Sequence, residues 1–527
     1  MNTAAATGWA SKANGTHPKW WKDNGLRRCN FWIAICFLSV FSGGYDGSLL
    51  GSLQAMPQWI AYFDNPQGSR LGLMACVQSI GYIPGGPVSA ILADRFGRRW
   101  AIITGALILT FGSFLQAFAT NTSMFTGSRF LIGFGGAVCG PGAVLATELA
   151  HPRQRGPAVA LYNTTYYIGS TMAAVISFAT LRIGGDWSWR LPSLLQCAAA
   201  VVQAFALVWA PESPRFLVAK GKSEQAHKLL AKYHANGDMD DELVLFEMEE
   251  IRLAMELEKQ ASARGWMELV RGAGNRKRTA ICTFVGWTSQ FNGVGIVSYY
   301  FAPVLRTVGI TNSTQILAIT IALGVWNYLA ATAGSLCVDK VGRRKLWLFS
   351  TGAMFVCMCL VTGLSAGYEK SPNAAIGGSV IAFLFLYYGA YDSAFTGLTI
   401  SYPCEIMPYY LRTKGIAVLN INVGVALCVN QYLNPIALEA IGWKYYLVVM
   451  AYSWYSSFLR HAQYFPETRG YSIEEIAQIF DNKSPGAHEL SETGTTVQYI
   501  GDEAMDSKKM DLAHIEGPVL ESAPRKH

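Results

Sequence analysis

Charge is what this chain has least of. Asp, Glu, Lys and Arg make up 15% of its 527 residues, against 51% hydrophobic residues, whereas a soluble globular domain carries about 25% charged residues. The deficit excludes an ordinary soluble domain and leaves much of the chain to meet lipid. Paired cysteines are missing too. The eleven Cys are scattered, most of them inside apolar runs (Cys36, Cys76, Cys139, Cys197, Cys282, Cys428), and Cys357 and Cys359 are separated by one residue. That spacing suits neither zinc nor a redox dithiol, so they read as small buried hydrophobes, and no metal or other cofactor is expected. No HExxH motif and no P-loop is present, which removes zinc-peptidase and nucleotide-driven readings, and the chain is not expected to be an enzyme. The run Gly133-Phe-Gly135-Gly136 reads as helix packing within a span. The first thirty residues are polar and basic and lack an apolar core, so no cleaved signal peptide is expected and the first span inserts itself.

What is there is a series of long apolar runs. A bilayer needs about 20 mostly apolar residues per helix. Runs that qualify lie near 31–53, 72–93, 100–118, 124–147, 157–181 and 190–210, and again near 279–306, 316–338, 345–366, 376–403, 412–437 and 443–465. Twelve spans in two sets of six give an all-α membrane fold. The net charge of +7 would suggest a nucleic-acid partner in a soluble protein; here its distribution matters more, and lipid is the expected partner. Lys19, Lys22, Arg27 and Arg28 precede the first span, Arg95, Arg98 and Arg99 follow the second, and Arg153 and Arg155 follow the fourth. Arg343, Arg344 and Lys345 follow the eighth, and Arg412 and Lys414 the tenth. Alternating spans put all of these on one side, which the positive-inside rule makes cytoplasmic, together with both termini. The sequons at Asn121 and Asn312 then face outward, where glycosylation can occur; those at Asn14 and Asn482 face inward. The expected organisation is a tail over 1–30, a six-helix half over 31–210, a charged helical linker over 211–278, a second half over 279–465 and a tail over 466–527 that is polar and without periodicity beyond about 480.

The halves repeat one another. Ala93-Asp94-Arg-Phe-Gly97-Arg98-Arg99 recurs as Val338-Asp339-Lys-Val-Gly342-Arg343-Arg344. Glu148 precedes Arg155 by the same interval that separates Glu405 from Arg412, and Pro211-Glu212-Ser213 recurs as Pro466-Glu467-Thr468. Ordered matches at a nearly constant offset imply two six-helix halves rocking about a site near the bilayer midplane. The repeated charges include acids, which contribute little to topology, so they read as ion pairs that form and break as the halves tilt.

These motifs, in this order, resemble the sugar porter family of the major facilitator superfamily over roughly residues 30–480. The resemblance is carried by Gly44-Tyr45-Asp46, the two Asp-Arg-x-Gly-Arg-Arg-like loops, Gly127-Ser-Arg129, Glu148…Arg155-Gly156, Pro211-Glu-Ser-Pro-Arg215, Gln290, Glu405…Arg412 and Pro466-Glu-Thr-Arg-Gly470. Asn430-Gln-Tyr-Leu-Asn434-Pro435 with Gly442-Trp443-Lys-Tyr-Tyr446 is similar to the fungal lactose-permease-like branch, which includes hexose and disaccharide carriers. The resemblance implies a carrier that works as a monomer in the plasma membrane and moves a sugar together with protons.

Charges inside a span are functional by default. Asp46 in span one and Arg129 in span four are expected to pair. The resemblance implies that the pair couples protons; a static brace in a facilitator is the alternative. Asp392 in span ten either meets sugar hydroxyls, titrates, or lies near the outer water. A sugar site needs amides as paired donors and acceptors, with aromatic platforms. Candidates are Asn163, where the family usually has Gln, Gln290, which matches a family sugar contact, and Asn292, Tyr299, Tyr300, Asn327, Asn420 and Asn422. The second half departs from the family: Gly295 stands for an Asn, Ile400 for a Trp, and Val423-Gly424 for an amide–Trp pair. Arg460, His461 and Gln463 interrupt span twelve. A sugar–proton symporter is the leading expectation. A facilitator, a carrier of another solute such as a polyol, quinate-like acid or secondary metabolite, and a non-transporting sugar sensor are the others.

Overall fold

The computed structural model describes residue 12 and residues 14–262, 265–452, 465–468 and 480. Among them every regular element is a helix. The first six spans are α1 (Asn24–Leu53), α3 (Gly68–Phe96), α4 (Arg98–Ala117), the pair α5 (Thr122–Val138) and α6 (Pro141–Leu149), α7 (Arg155–Thr180), and the pair α8 (Trp187–Leu195) and α9 (Ala198–Leu207); a short α2 (Pro57–Tyr62) joins the first two. Three helices follow, α10 (Pro214–Ala219), α11 (Ser223–His234) and α12 (Glu242–Ser262). The second half holds the pair α13 (Ala273–Phe291) and α14 (Val294–Thr307), then α15 (Ser313–Val341), α16 (Arg343–Lys370), α17 (Ala374–Ile406), α18 (Tyr409–Ile441) and α19 (Tyr445–Tyr452). The remainder of span twelve, with Arg460, His461 and Gln463, lies outside the described residues.

Eight stretches are apolar and long enough to cross a membrane by length and composition. Helices α3, α7 and the α13–α14 pair do not join that count. They are the spans that carry Gln78, Thr164, Gln290 and Asn292. Polar residues in a membrane helix turn toward protein rather than lipid, and these helices make the seams: α3 packs on α18, α7 on α15, and α14 on α1. Within the first half, α1 and α7 meet at glycine. A Cβ on Gly44 would lie 2.0 Å from the carbonyl oxygen of Tyr166, and one on Gly169 2.0 Å from that of Phe41. Any side chain there would separate the two backbones.

Prolines break the helices where the halves touch. Pro303 in α14 has no N–H to give, and its ring pushes away the carbonyl four residues back. That carbonyl belongs to Tyr299, beside the kink at Tyr300 (φ −130°, ψ 30°), and it accepts a hydrogen bond of 2.9 Å from Gln54 Nε2 of the other half. Pro435 in α18 likewise frees the carbonyl of Gln431, which accepts from the Tyr300 hydroxyl at 2.5 Å. Arg306 donates to the Gln54 carbonyl at 3.0 Å, and Ser79 of α3 donates to Gln431 Oε1 at 2.6 Å. The halves are thereby joined at the end away from the arginine-rich loops.

Candidate functional site

The repeated motifs build the same clasp twice, at the arginine-rich end. In the first half Arg98 Nε lies 3.5 Å from Glu148, and Asp94, mostly exposed, lies 3.9 Å from Arg98. The Glu212 carboxylate accepts from the backbone N–H of Arg98 (3.1 Å) and of Arg99 (3.3 Å), at the start of α4, and the Ser213 hydroxyl donates to Glu148. In the second half Arg343 donates to Glu405 from Nε and a terminal nitrogen at 3.2 and 3.1 Å. Glu467 accepts from the N–H of Arg343 (2.9 Å) and of Arg344 (3.1 Å), and the Thr468 hydroxyl donates to Glu405 at 2.5 Å. Glu212 and Glu467 thus each sit on the positive end of a helix, and each half is clasped to itself. Arg99 also donates to the Ala210 carbonyl at 2.8 Å. The side chain of Asp339 lies outside the described residues.

Arg155 does not pair with Glu148. It leaves Glu148 to Arg98 and donates to Glu247 of α12 at 2.9 Å, with Glu250 at 3.9 Å. Glu247 is fully buried and takes His234 of α11 as its second partner, at 2.6 Å. The other ring nitrogen of His234 lies 3.0 Å from the Leu149 carbonyl, so the linker helices are bolted to the end of α6. Glu247 holds the His234 proton on, pushing that pKa up to about 10 against the opposing effect of burial. Burial, and then the neighbouring His234, hold His151 neutral, down to about 3. The amino-terminal segment joins the same assembly: Asn14 donates to Asp241 at 3.3 Å, and Asn236 to Asp23 at 2.8 Å.

Inside the membrane, Asp46 and Arg129 are both buried in the first half, yet no ion pair within 4.0 Å joins them among the described residues. Arg129 instead donates to Gln78 Oε1 of α3 at 2.6 Å, and Gln196 stands beside Asp46. The expected contact is not made in this conformation because α3 supplies an amide where the guanidinium sits.

Between the halves lies a cavity of about 60 Å³ lined by Ser48 of α1, Tyr166, Tyr167 and Ser170 of α7, Ser298 and Tyr299 of α14, Asn327 of α15 and Tyr388 of α17. Ligand pockets run from about 300 Å³ upward, so a solute of sugar size enters only when the walls part. Of the sequence candidates this brings Tyr299 and Asn327 together. Asp392 lies one turn below Tyr388, buried, accepting from Tyr167 at 2.5 Å and from Thr396 at 2.9 Å. The others are placed elsewhere. Tyr300 faces a larger cavity of about 280 Å³ at the far end, shared with Gln54, Arg306 and Glu439. Asn163 and Asn420 are exposed. Asn422 accepts from Trp287 at 2.9 Å and ties α18 to α13. The carbonyl of Gln290 accepts from Asn430 at 2.8 Å. Asn292 fills the break between α13 and α14, its side chain accepting from Val294 N–H at 3.1 Å and its carbonyl receiving the Tyr387 hydroxyl; the break itself needs Gly293, at φ +95°. Asn121 and Asn312 are exposed N-caps of α5 and α15.

Some residues escaped the motif reading. Gly295 leaves room that Asn430 fills: a Cβ on it would meet Asn430 Oδ1 at 2.2 Å. Asn434 donates to Asn430 at 2.7 Å and accepts from Tyr445 at 2.8 Å, so amides from α18 occupy the place of the missing side chain. The cavity's tyrosines were announced by doublets at 166–167, 299–300 and 387–388 in spans five, seven and ten. Gly363-Leu-Ser365-Ala-Gly367 has the spacing of a hydrolase nucleophile elbow, but Ser365 is buried within the last two turns of α16 rather than at a strand–helix turn.

A family model described as sugar (and other) transporter matches residues 31–480. The chain belongs to this family. The chain is similar to the MFS-type transporter oryC of Aspergillus oryzae, 28% identical over 85% of this chain and 85% of its own length. The MFS glucose transporter mfs1 of Aspergillus flavus is 25% identical over 86% and 91%, and the hexose transporter HXT10 of Saccharomyces cerevisiae 28% over 86% and 85%. The fold is that of the xylose transporter XylE from E. coli in its inward-open conformation, with a TM-score of 0.71 at 21% identity over 86% of this chain and 99% of that one. XylE described as a proton:xylose symporter bound to 6-bromo-6-deoxy-D-glucose gives 0.68 at 22% over the same shares.

Proposed function

We propose that this family member is a proton-coupled carrier of a hexose or a disaccharide, not an enzyme, working by alternating access as a monomer in the plasma membrane with both termini in the cytoplasm. The observation that carries the reading is the hydroxyl-rich cavity between the halves, walled by Tyr166, Tyr167, Ser170, Tyr299, Asn327 and Tyr388. Sugars offer many hydroxyls and weakly apolar ring faces, and a cavity of phenols, hydroxyls and one amide answers both. The glucose and hexose carriers among its relatives support the substrate class.

In this scheme Asp46 takes a proton from outside and Arg129, already turned to Gln78, is released from its charge. The sugar-loaded halves close at the Gln54–Tyr299 end and open at the clasped end, where the sugar and then the proton leave. A facilitator keeps the same path and uses Asp46 only as a brace. A carrier of another solute is the second reading, favoured by the second-half wall, where Gly295 and Asn430 replace the family amide.

The test is uptake of labelled glucose, galactose, lactose and cellobiose into transporter-deficient yeast, at acidic and at neutral external pH, for the wild type and Asp46→Asn. Uptake that is greater in acid and falls at least tenfold in the variant supports symport. Uptake indifferent to both makes the protein a facilitator. Entry of none of the four, with the protein at the cell surface, moves the substrate outside these sugars.

A further inference from the structure

We propose that Asp392 and Tyr167 form a proton-dependent latch between the halves, separate from Asp46. The inference rests on the alternating-access reading above, but neither on the identity of the sugar nor on the role of Asp46. Asp392 belongs to α17 of the second half and Tyr167 to α7 of the first. Asp392 Oδ1 accepts from the Tyr167 hydroxyl at 2.5 Å and from Thr396 of its own helix at 2.9 Å. Its Oδ2 is buried without a partner.

The groups around this carboxyl are phenols. Tyr166 joins Tyr167 from α7, Tyr388 and Tyr391 come from α17 itself, and Tyr299 of α14 stands beyond Tyr388. Among the described residues no lysine, arginine or histidine pairs with Asp392. An ionised carboxylate with an orphan oxygen and no cation is expensive in a dry membrane interior. A neutral carboxyl is not: Oδ2 carries the proton while Oδ1 goes on accepting from Tyr167. The latch therefore closes on the protonated acid.

Position gives the latch its direction. Asp392 lies on the clasped side of the cavity, between Tyr388 in the cavity wall and Glu405 in the clasp. Opening on that side draws α7 from α17, removes the phenol and admits water, and the carboxyl then gives up its proton. Because the closed form binds the proton more tightly, a fall in pH favours closure and a rise favours opening.

Spin labels report this without any sugar. The full-length chain carries Cys337→Ser, to remove the exposed thiol, with labels at Gly156→Cys, where a side chain meets nothing within 4 Å, and at exposed Thr413→Cys. Distances are measured in lipid nanodiscs from acid to alkaline pH. The expected result is a short-distance population that gives way to a longer one as pH rises. Asp392→Asn, permanently neutral, stays short throughout. Tyr167→Phe shifts the transition to lower pH and raises the open-to-closed ratio at least threefold at the wild-type midpoint, and Asp46→Asn still titrates. A background that does not respond to pH, or an Asp392→Asn protein that titrates like the wild type, overturns the latch. If Asp392→Asn does not fold, Tyr167→Phe decides alone, an unchanged profile overturning it. Failure of sugar uptake leaves this readout unaffected, so the two readings fail separately.

Discussion

The two halves agree at their charged ends and disagree in their membrane interiors. Arg98, Glu148, Glu212 and Ser213 in one half are matched by Arg343, Glu405, Glu467 and Thr468 in the other, donor for donor. The buried charges have no such match. The first half encloses an acid and a base, Asp46 and Arg129, whereas the second places Asp392 against phenols at the seam. Nor has the second half a counterpart, among the described residues, to the α11–α12 module bolted on through His234, Glu247 and Arg155. On the proposed alternating-access reading, symmetry is retained where both halves do the same work and abandoned where binding and coupling need different chemistry.

The strongest way to break the comparison is Glu247→Gln. It strips a fully buried acid from two cationic partners; removing one member of a buried pair costs about 3–5 kcal/mol. We expect α11 and α12 to lose their protection in limited proteolysis while α15–α18 keep theirs. Next come Arg98→Ala and Arg343→Ala. Both ion pairs are partly exposed, so after solvent screening each contributes about 1–2 kcal/mol. If the clasps are equivalent, either change lowers uptake at matched surface expression by a similar factor, on the order of tenfold; a large difference between them would end the claim of equivalence. Asn422→Ala loses one hydrogen bond to Trp287, about 1 kcal/mol. It is expected to lower thermal stability slightly and leave uptake affinity unchanged, whereas Asn327→Ala in the cavity wall raises the half-saturation concentration.

The pH response of the linker module is a further test, and its sign follows from its two histidines. His234 is raised to about 10, so its contribution is complete below the ordinary histidine value of about 6.5 and is lost as pH climbs through 10. His151 is lowered to about 3, so its contribution is complete above about 6.5 and is lost as pH falls toward 3. Protection of the amides of α11 and α12, corrected for the intrinsic pH dependence of exchange, should be greatest near pH 6.5 and fall on both sides. Monotonic behaviour across that value would refute the assignment of one charged and one neutral ring.

The spans and the clasps were legible because each rests on local or repeated signals. A run of apolar residues needs no partner to be recognised, and Gly97-Arg98-Arg99 announces its copy at Gly342-Arg343-Arg344. What escaped depends on distance in the chain. Nothing near Arg129 says that Gln78 will take it, and nothing near Arg155 names Glu247, on a helix outside the spans. The Asn430 side chain fills the space above Gly295 because α18 and α14 happen to cross there. The prolines were visible, but not that the carbonyls of Tyr299 and Gln431, which they release, would serve as contacts between elements. Tyrosine doublets were the one local sign of the cavity, and they recur outside it, at 409–410 and 445–446.

The ties between the amino-terminal segment and the linker bear on how the protein is made. Asn14 and Asp23 leave the ribosome early, but Asp241 and Asn236, to which they bind, follow more than 200 residues later. At about 5–20 residues per second, the amino-terminal segment waits roughly 10–45 s for the groups it binds. Over that time the six spans are made and inserted into the bilayer with the histidine–glutamate bolt still unmade. A membrane chaperone or the translocon itself would be holding an open bundle, and slowing synthesis between the codons for Leu207 and Glu247 should lengthen the interval in which that bundle is exposed to degradation.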